Sequence, residues 1–327
     1  MGQTRLLRFV LGRLVQAIPV VLGVVVLNFL LLQLAPGDAA TVLAGEAGGA
    51  PAEYVAELRQ RFGLDQPVPI QLALYVKNVL ALNFGYSFRN QSPVLPLILE
   101  RLVATLLLMG TTLVLSLGIG VLLGLFAAVW VGTWKDHLIS VAAIIAYAMP
   151  LFWIGLMLIL LFSIKLDWLP TSGMEDPAAF YEGAARVADI ARHLVLPAIT
   201  LSLFYMALYA RLMRATMLEQ RGLEYVTTAR AKGLTERQIT TRHVVRNALM
   251  PVVTVAGVQI GGLLGGSVVV ESVFAWPGLG QLAFQSLFAR DLNLLLGIFF
   301  ISSCLVVVVN ILVDVVYVLL DPRVRVG

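Results

Sequence analysis

Residues 102–131 read LVATLLLMGTTLVLSLGIGVLLGLFAAVWV, and none of these 30 side chains is charged. At a rise of 1.5 Å per residue, a helix of about 20 apolar residues crosses the hydrocarbon core of a bilayer. The stretch is therefore long enough to be a membrane-spanning helix. It is too long and too unbroken for a strand of a membrane barrel, which alternates over about ten residues.

Five other segments have the same character. The six predicted spans are residues 9–35, 102–131, 138–164, 194–213, 250–273 and 293–320. Of the 327 residues, 59% are hydrophobic and only 13% are charged, and the mean hydropathy is +0.90. A soluble domain carries roughly twice that charged fraction. The sequence therefore predicts an all-α integral membrane protein with six transmembrane helices.

The first span has the basic start of a signal peptide, with arginines at positions 5, 8 and 13. However, its apolar stretch from Leu14 to Ala35 is longer than the core of about 7–15 residues that a signal peptide has. We therefore expect a retained first span.

The distribution of charge orients the chain. Residues 211–246 carry eight basic and three acidic side chains, whereas residues 37–101 carry five and six, and residues 165–193 carry three and five. Basic residues near span ends stay on the cytoplasmic side. We therefore expect both termini and the 211–249 loop to be cytoplasmic. Because the net charge of +4 follows the membrane in this way, we expect lipid and not nucleic acid as a partner.

This topology divides the chain into four parts. Residues 1–36 are an N-terminal transmembrane helix, and residues 37–101 are an extracytoplasmic loop with an amphipathic helical cap at Glu53–Phe62. Residues 102–320 form a five-helix core that includes the cytoplasmic loop 214–249, and residues 321–327 are a cytoplasmic tail. The cap either simply covers the helix ends or, as the family resemblance described below implies, supports an external binding protein.

The cytoplasmic loop is patterned as two short helices with a sharp corner. The first helix begins at Glu224 and is closed by Gly233, since glycine tolerates the left-handed conformation at a helix end. Thr235 begins a capping box with Gln238, and the second helix runs through Arg246. Small residues next to the corner leave its backbone near the surface: Ala229 and Ala231. Positive charge that only sets the topology does not explain this pattern, which suits docking into a groove on a soluble partner.

Residues 225–234, YVTTARAKGL, resemble the coupling segment of binding-protein-dependent ABC importers, and more narrowly the B-type permeases of the dipeptide, oligopeptide and nickel family. The general motif has Glu-Ala-Ala where this chain has Thr227, Thr228 and Ala229, and its final proline is displaced here to Pro251; the peptide-permease version itself differs at these places. Eight further stretches resemble the same family in the same order: Ala35–Asp38, Phe62–Pro67, Leu82–Ser87, Pro150–Trp153, His193–Ala198, Arg246–Pro251, Trp276–Gly280 and Asp321–Arg323.

The resemblance implies a permease with the type I fold of ABC importers in the bacterial cytoplasmic (inner) membrane. It further implies a heterodimer with a second permease, two cytoplasmic ATPase subunits and an extracytoplasmic binding protein. ATP and Mg are used by the ATPases, so no cofactor is expected on this chain. Closure of the ATPases would pull on the docked loop and switch the path between two states. The implied coupling residues are Glu224, Thr228, Ala229, Arg230, Ala231, Lys232, Gly233 and Leu234.

The fifth span contains GGLLGG at residues 261–266. Small residues at this spacing let helices approach closely in lipid. They either pack within the subunit or line the translocation path. Gln259 lies on the face of Gly262 and Gly266 near the middle of the membrane, and these three are the candidate path residues.

Other intramembrane residues carry structural expectations. Asp314 should pair with an arginine on the cytoplasmic side, because an unpaired carboxylate in lipid is costly; the alternative is a proton relay. Glu271 is expected at the outer end of its helix, in reach of water. Pro150 and Pro197 are expected to kink their helices.

No catalytic or metal-binding constellation is found. The three histidines lie near different span ends: His137, His193 and His243. The chain has no G-x-x-x-x-G-K-[ST], G-x-S-x-G or H-E-x-x-H motif, so we expect a transport subunit and not an enzyme. The alternatives are an ion-coupled secondary transporter, which would favour inverted repeats and mid-membrane acids, and a structural anchor. The family resemblance implies a short peptide as the substrate, with nickel chelate or glutathione as alternatives.

Overall fold

The computed structural model describes residues 3–34, 56, 65–87 and 89–320. Most of these residues are helical, as predicted. A short antiparallel ribbon pairs β1 (Tyr86–Ser87) with β2 (Ser92–Pro93). Short π-helical segments, Ile159–Lys165 and Thr240–Val244, follow α5 and α8. The helices are α1 (Gln3–Leu34), α2 (Val68–Leu80), α3 (Val94–Val129), α4 (Trp134–Ala148), α5 (Leu151–Leu158), α6 (Gly183–Arg221), α7 (Glu224–Ala231), α8 (Glu236–Ile239), α9 (Val245–Val273), α10 (Leu279–Ala289) and α11 (Leu292–Leu320).

Five stretches of the described chain are long and apolar enough to cross a bilayer. Each carries one of the predicted spans, namely the first, second, fourth, fifth and last. The stretches are Leu11–Leu34, Val94–Val129, Gly183–Arg221, Glu236–Val273 and Leu292–Val315. The predicted cap at 53–62 lies outside the described residues except for Ala56, and the tail at 321–327 lies wholly outside them.

The third predicted span, residues 138–164, is broken and not merely kinked. Between α4 and α5, Met149 is extended, with φ −77° and ψ 137°, and the two helices differ in direction by 105°. Pro150 is the cause, because proline has no N–H to donate and disfavours helical geometry in the residue before it. The described residues therefore hold five spanning helices, or six if this bent pair is one span. In contrast, α6 continues through Pro197.

One compact unit comprises Met1–Leu102 and Leu282–Ile311. Its core joins Val25 of α1, Val79 of α2 and Phe300 of α11, all of which are buried. The long apolar helix α1 is thus fixed by packing on one side only, while most of its other side chains remain exposed.

The second unit comprises Val103–Gln281 and Leu312–Gly327 and contains every candidate site residue. At its centre α6 packs against α4, α5 and α9. Helix α3 approaches α6 closely at two small residues, Gly120 and Gly124. A Cβ added at Gly120 would lie only 2.9 Å from the carbonyl oxygen of Met206. This Gly-x-x-x-Gly seam is the packing that small residues permit in a membrane.

Candidate functional site

The predicted helix and its glycine corner are confirmed. After α7, Gly233 has φ +80°. Its N–H donates to the carbonyl oxygen of Arg230 at 2.9 Å, and the N–H of Leu234 donates to that of Ala229 at 3.3 Å. These two bonds form a Schellman motif, which requires a left-handed residue at the position that Gly233 occupies.

The capping box is also confirmed, but the prediction of a second short helix that ends at Arg246 is wrong. The Thr235 hydroxyl accepts from the N–H of Gln238 at 3.3 Å, and the Gln238 side chain accepts from the N–H of Thr235 at 2.9 Å. However, the helix does not end at Arg246. It continues through the π-helical segment into α9, because residues 236–250 contain neither glycine nor proline to end it.

Residues 224–238 are named here the Gly233 corner, and most of their candidate coupling side chains face outward. Ala229, however, is only 6% exposed. It follows the fully buried Val226 by three residues and so shares its side of the helix. The expectation that both alanines leave backbone at the surface holds for Ala231 and is wrong for Ala229. Leu234 is half-buried, and the exposed candidates are Glu224, Thr228, Arg230, Ala231, Lys232 and Gly233.

An ion pair spans the Gly233 corner. The Arg230 guanidinium donates from Nε to Oε1 of Glu236 at 2.5 Å and from Nη2 to Oε2 at 3.2 Å. The carboxylate raises the pKa of Arg230 above its usual range. Both side chains are about half exposed or more, at 49% and 68%, so the pair adds little stability. The pair holds the Arg230 charge in place on the exposed face of the Gly233 corner.

A second ion pair holds the end of α6 that carries the corner. Arg214 donates from Nε and Nη2 to the two carboxylate oxygens of Asp136, at 2.6 and 2.8 Å. The Asp136 carboxylate also accepts from the N–H of Gly132 at 3.0 Å, and its side chain is only 3% exposed. From the sequence, Arg214 is one of the eight basic residues that set the topology, and nothing near it in the chain indicates this partner. The acid in the first turn of α4 was the one available signal, since 78 residues separate the partners.

Two further hydrogen bonds tie the same end of α6 to neighbouring helices. Arg221 donates to the carbonyl oxygen of Ala128 in α3 at 2.8 Å. The Thr216 hydroxyl lies 3.0 Å from the carbonyl oxygen of Ala248 in α9. Only Gly222 and Leu223 separate α6 from α7, so the Gly233 corner is connected by two residues to a helix that is hydrogen-bonded to α3 and α9.

The candidate path residues share one face of α9, as predicted. A Cβ added at Gly262 would lie 3.2 Å from Gln259 Oε1 and 3.4 Å from the Tyr205 hydroxyl. One added at Gly266 would lie 3.1 Å from Leu201 Cδ1. Gly266 therefore packs within the subunit, while Gly262 is exposed. The pairing of Asp314 with an arginine stays a prediction.

The expected exposure of Glu271 to water is wrong. Its side chain is fully buried, and its carboxylate accepts from the Thr105 hydroxyl and from the N–H of Gln281, each at 2.9 Å. The reason is that residues 274–280 turn back over the end of α9 and bring Gly278 and Gly280 against the carboxylate, where a Cβ would clash. This carboxylate fixes the turn.

Metal ligands are not grouped within the part of the chain that the structure describes: no three His, Cys, Asp or Glu side chains there are placed to hold a metal ion. His137 and His193 each hydrogen-bond the backbone carbonyl of the residue four positions earlier in the chain. These contacts give both histidines local structural partners.

Two protein-family models match the chain and identify its family. The model described as "Binding-protein-dependent transport system inner membrane component" matches residues 120–326, and a model of the N-terminal part of such components matches residues 6–109. The chain belongs to this family. It is therefore a multi-pass protein of the inner membrane, and its apolar helices are membrane spans.

Individual members of the family match the chain from end to end. A putative peptide transport system permease protein of Brucella abortus is 39% identical over 320 residues, which cover 97% of this chain and 98% of the relative. A glutathione transport system permease protein of Salmonella typhimurium is 38% identical over 320 residues, which cover 98% and 99%. The resemblance to peptide-type ABC importer permeases is thus confirmed.

The fold agrees with the family. The inward-facing methionine ABC transporter MetNI matches with a TM-score of 0.56 at 18% identity, over 69% of this chain and 96% of the matched chain. At that identity the match concerns the fold alone, and it confirms the predicted ABC importer permease architecture.

Proposed function

We propose that this permease forms the path of an ATP-driven importer of short peptides together with a second, different permease. Two cytoplasmic ATPase subunits hydrolyse MgATP, and an extracytoplasmic binding protein delivers the peptide. The chain itself has six spans and cytoplasmic termini, binds no nucleotide or other cofactor, and is not an enzyme. The observation that carries the proposal is the 39% identity to a relative named as a peptide permease along 97% of the chain.

The geometry of the Gly233 corner supports its role as the contact with the ATPases. A rigid, exposed turn presents the Arg230, Ala231 and Lys232 side chains. Behind it, the Asp136–Arg214 pair and the Arg221 bond hold α6 to α3 and α4. The turn is held by its own hydrogen bonds, and α6 is held to its neighbouring helices. Such a surface suits the transmission of a rigid-body movement.

Glutathione is the second candidate substrate, because a relative of 38% identity is named as a glutathione permease. Glutathione is itself a tripeptide with one γ-linked bond. A path that contacts the amide backbone rather than side chains would therefore serve both substrates.

Uptake into proteoliposomes tests the substrate class. The complete complex with its own binding protein should accumulate labelled di- to pentapeptides, since the proposed path makes no demand on the side chain. Unlabelled peptides should compete, and nickel chelates should not. Import of a nickel chelate without competition by peptides or glutathione would overturn the peptide assignment and leave the family, fold and coupling statements intact.

Cysteine labelling tests the orientation. In a Cys304→Ser background the chain has no other cysteine, so Thr241→Cys and Glu182→Cys place single thiols at exposed positions. We expect an impermeant maleimide to label position 182 from outside the cell and position 241 only after permeabilisation, because basic loops stay inside. The reverse pattern would place the Gly233 corner on the wrong side for ATPases.

A further inference from the structure

Two polar side chains from different spans converge on Gly262. The Tyr205 hydroxyl of α6 and the Gln259 amide oxygen of α9 lie 3.4 and 3.2 Å from the point where a Cβ of residue 262 would be. The Tyr205 hydroxyl also lies 3.6 Å from the corresponding point of Gly266. Tyr205 is only 4% exposed, and its hydroxyl points at this glycine face.

These two polar groups lack partners within the described chain. Neither the Tyr205 hydroxyl nor the Gln259 amide forms a hydrogen bond with any residue that the structure describes. Polar groups at membrane depth are costly when they face hydrocarbon without a partner. This face is therefore suited to meeting water, substrate or another polar surface, and unsuited to meeting lipid.

Glycine at position 262 keeps the convergence point open. Gly262 is exposed, and a methyl group there would crowd both oxygens. Below it, Gly266 is closed by Leu201 at 3.1 Å. The Tyr205 hydroxyl and the Gln259 amide thus border a small polar niche that is accessible at Gly262 and is closed on the side of Gly266 by the apolar Leu201 side chain.

We propose that Tyr205, Gln259 and Gly262, named here the Gly262 niche, contact the backbone amide of a peptide during its passage. A side-chain amide and a hydroxyl can each donate and accept a hydrogen bond, so together they match the N–H and C=O that every peptide has. The niche would thus hold the substrate without selecting its side chains. This inference rests on the proposed peptide function and adds the residues that contact the substrate.

The test compares a dipeptide with its ester analogue, in which oxygen replaces the amide N–H. Both are delivered by the same binding protein to the reconstituted complex, so a change in their uptake ratio between variants arises in the permease. Tyr205→Phe and Gln259→Leu each remove one hydrogen-bonding group, whose net worth corresponds to roughly a two- to tenfold effect. We expect both variants to import the dipeptide more slowly. The variant that lacks the group accepting from the substrate N–H should lower the amide-to-ester ratio, because the ester has no N–H, whereas loss of the group donating to the C=O should slow both substrates.

Matched controls separate the niche from a general effect on the fold. Tyr209→Phe removes another buried hydroxyl one turn along α6, and Gly118→Ala adds a methyl to an exposed, open glycine of α3. Neither should change the ratio, whereas Gly262→Ala should reduce import of both substrates. Uptake is expressed per assembled complex.

The outcomes distinguish this inference from the proposed function. If the wild type imports peptides and the ratio is unchanged in Tyr205→Phe and Gln259→Leu, the niche does not contact the backbone. An equal loss in Tyr205→Phe and Tyr209→Phe would likewise overturn it. If the wild type imports no peptide, the proposed function itself is wrong.

Discussion

Peptide import by the complex should fall at least about tenfold when Gly233 is replaced by proline. Proline fixes φ near −65° and has no N–H, whereas Gly233 has φ +80° and donates to Arg230. The Schellman motif therefore cannot form. Keeping the native conformation with proline at position 233 would cost about 1–3 kcal/mol for the strained residue and about 0.5–1.5 kcal/mol for the lost hydrogen bond. We therefore expect the corner to adopt a different conformation. The measurement is ATP-dependent uptake per assembled complex.

Asparagine at the same position is the matched control. It tolerates the left-handed conformation at a helix end, and an added Cβ at Gly233 would meet nothing within 4 Å. Gly233→Asn should therefore retain most of the import. Wild-type import in Gly233→Pro would show that the Gly233 corner does not transmit the movement.

Loss of the buried Asp136 carboxylate should destabilise the second unit strongly. Asp136→Asn leaves the Arg214 charge opposite a neutral group in a site where Asp136 is 3% exposed and Arg214 is 32% exposed. Breaking a fully buried pair costs about 3–5 kcal/mol, and the partial exposure of Arg214 reduces this to about 2–3 kcal/mol. The measurement is the thermal unfolding midpoint of the purified permease in detergent, together with uptake.

The exposed Arg186–Glu175 pair provides the comparison. Its Nε to Oε2 distance is also 2.6 Å, but its side chains are 57% and 40% exposed, so Glu175→Gln should change the midpoint little. The double variant Asp136→Leu with Arg214→Leu should recover much of the stability, because no charge is then left without a partner. Equal small effects at both pairs would show that the Asp136–Arg214 pair does not hold α6 in place.

Local rules predicted the Gly233 corner well, since each signal lies within a few residues of its effect. The glycine closing α7 and the Thr235–Gln238 capping box depend on backbone bonds over one helical turn. The inward position of Ala229 was also predictable, because it follows Val226 by three residues. Its small size suggested exposure instead, and the periodicity was the better guide.

Long-range contacts were beyond the sequence patterns. Glu271 is buried by a turn that folds back over the end of its helix. The apolar sequence of the span does not predict that turn. Likewise, Asp136 and Arg214 lie in separate helices, and each resembles an ordinary cytoplasmic charge. Pro150 signalled a disruption, but the 105° change of direction depends on how the two short helices pack afterwards.

The central proposal is that ATP hydrolysis drives peptides through this permease. Measuring which energy source supports import tests it most directly. Proteoliposomes containing both permeases, both ATPases and the binding protein should accumulate peptide only when MgATP is present on the side of the membrane that carries the ATPases. Ionophores that dissipate proton and sodium gradients should not prevent it. Accumulation driven by such a gradient without ATP, and especially by this chain alone, would instead identify an ion-coupled secondary transporter.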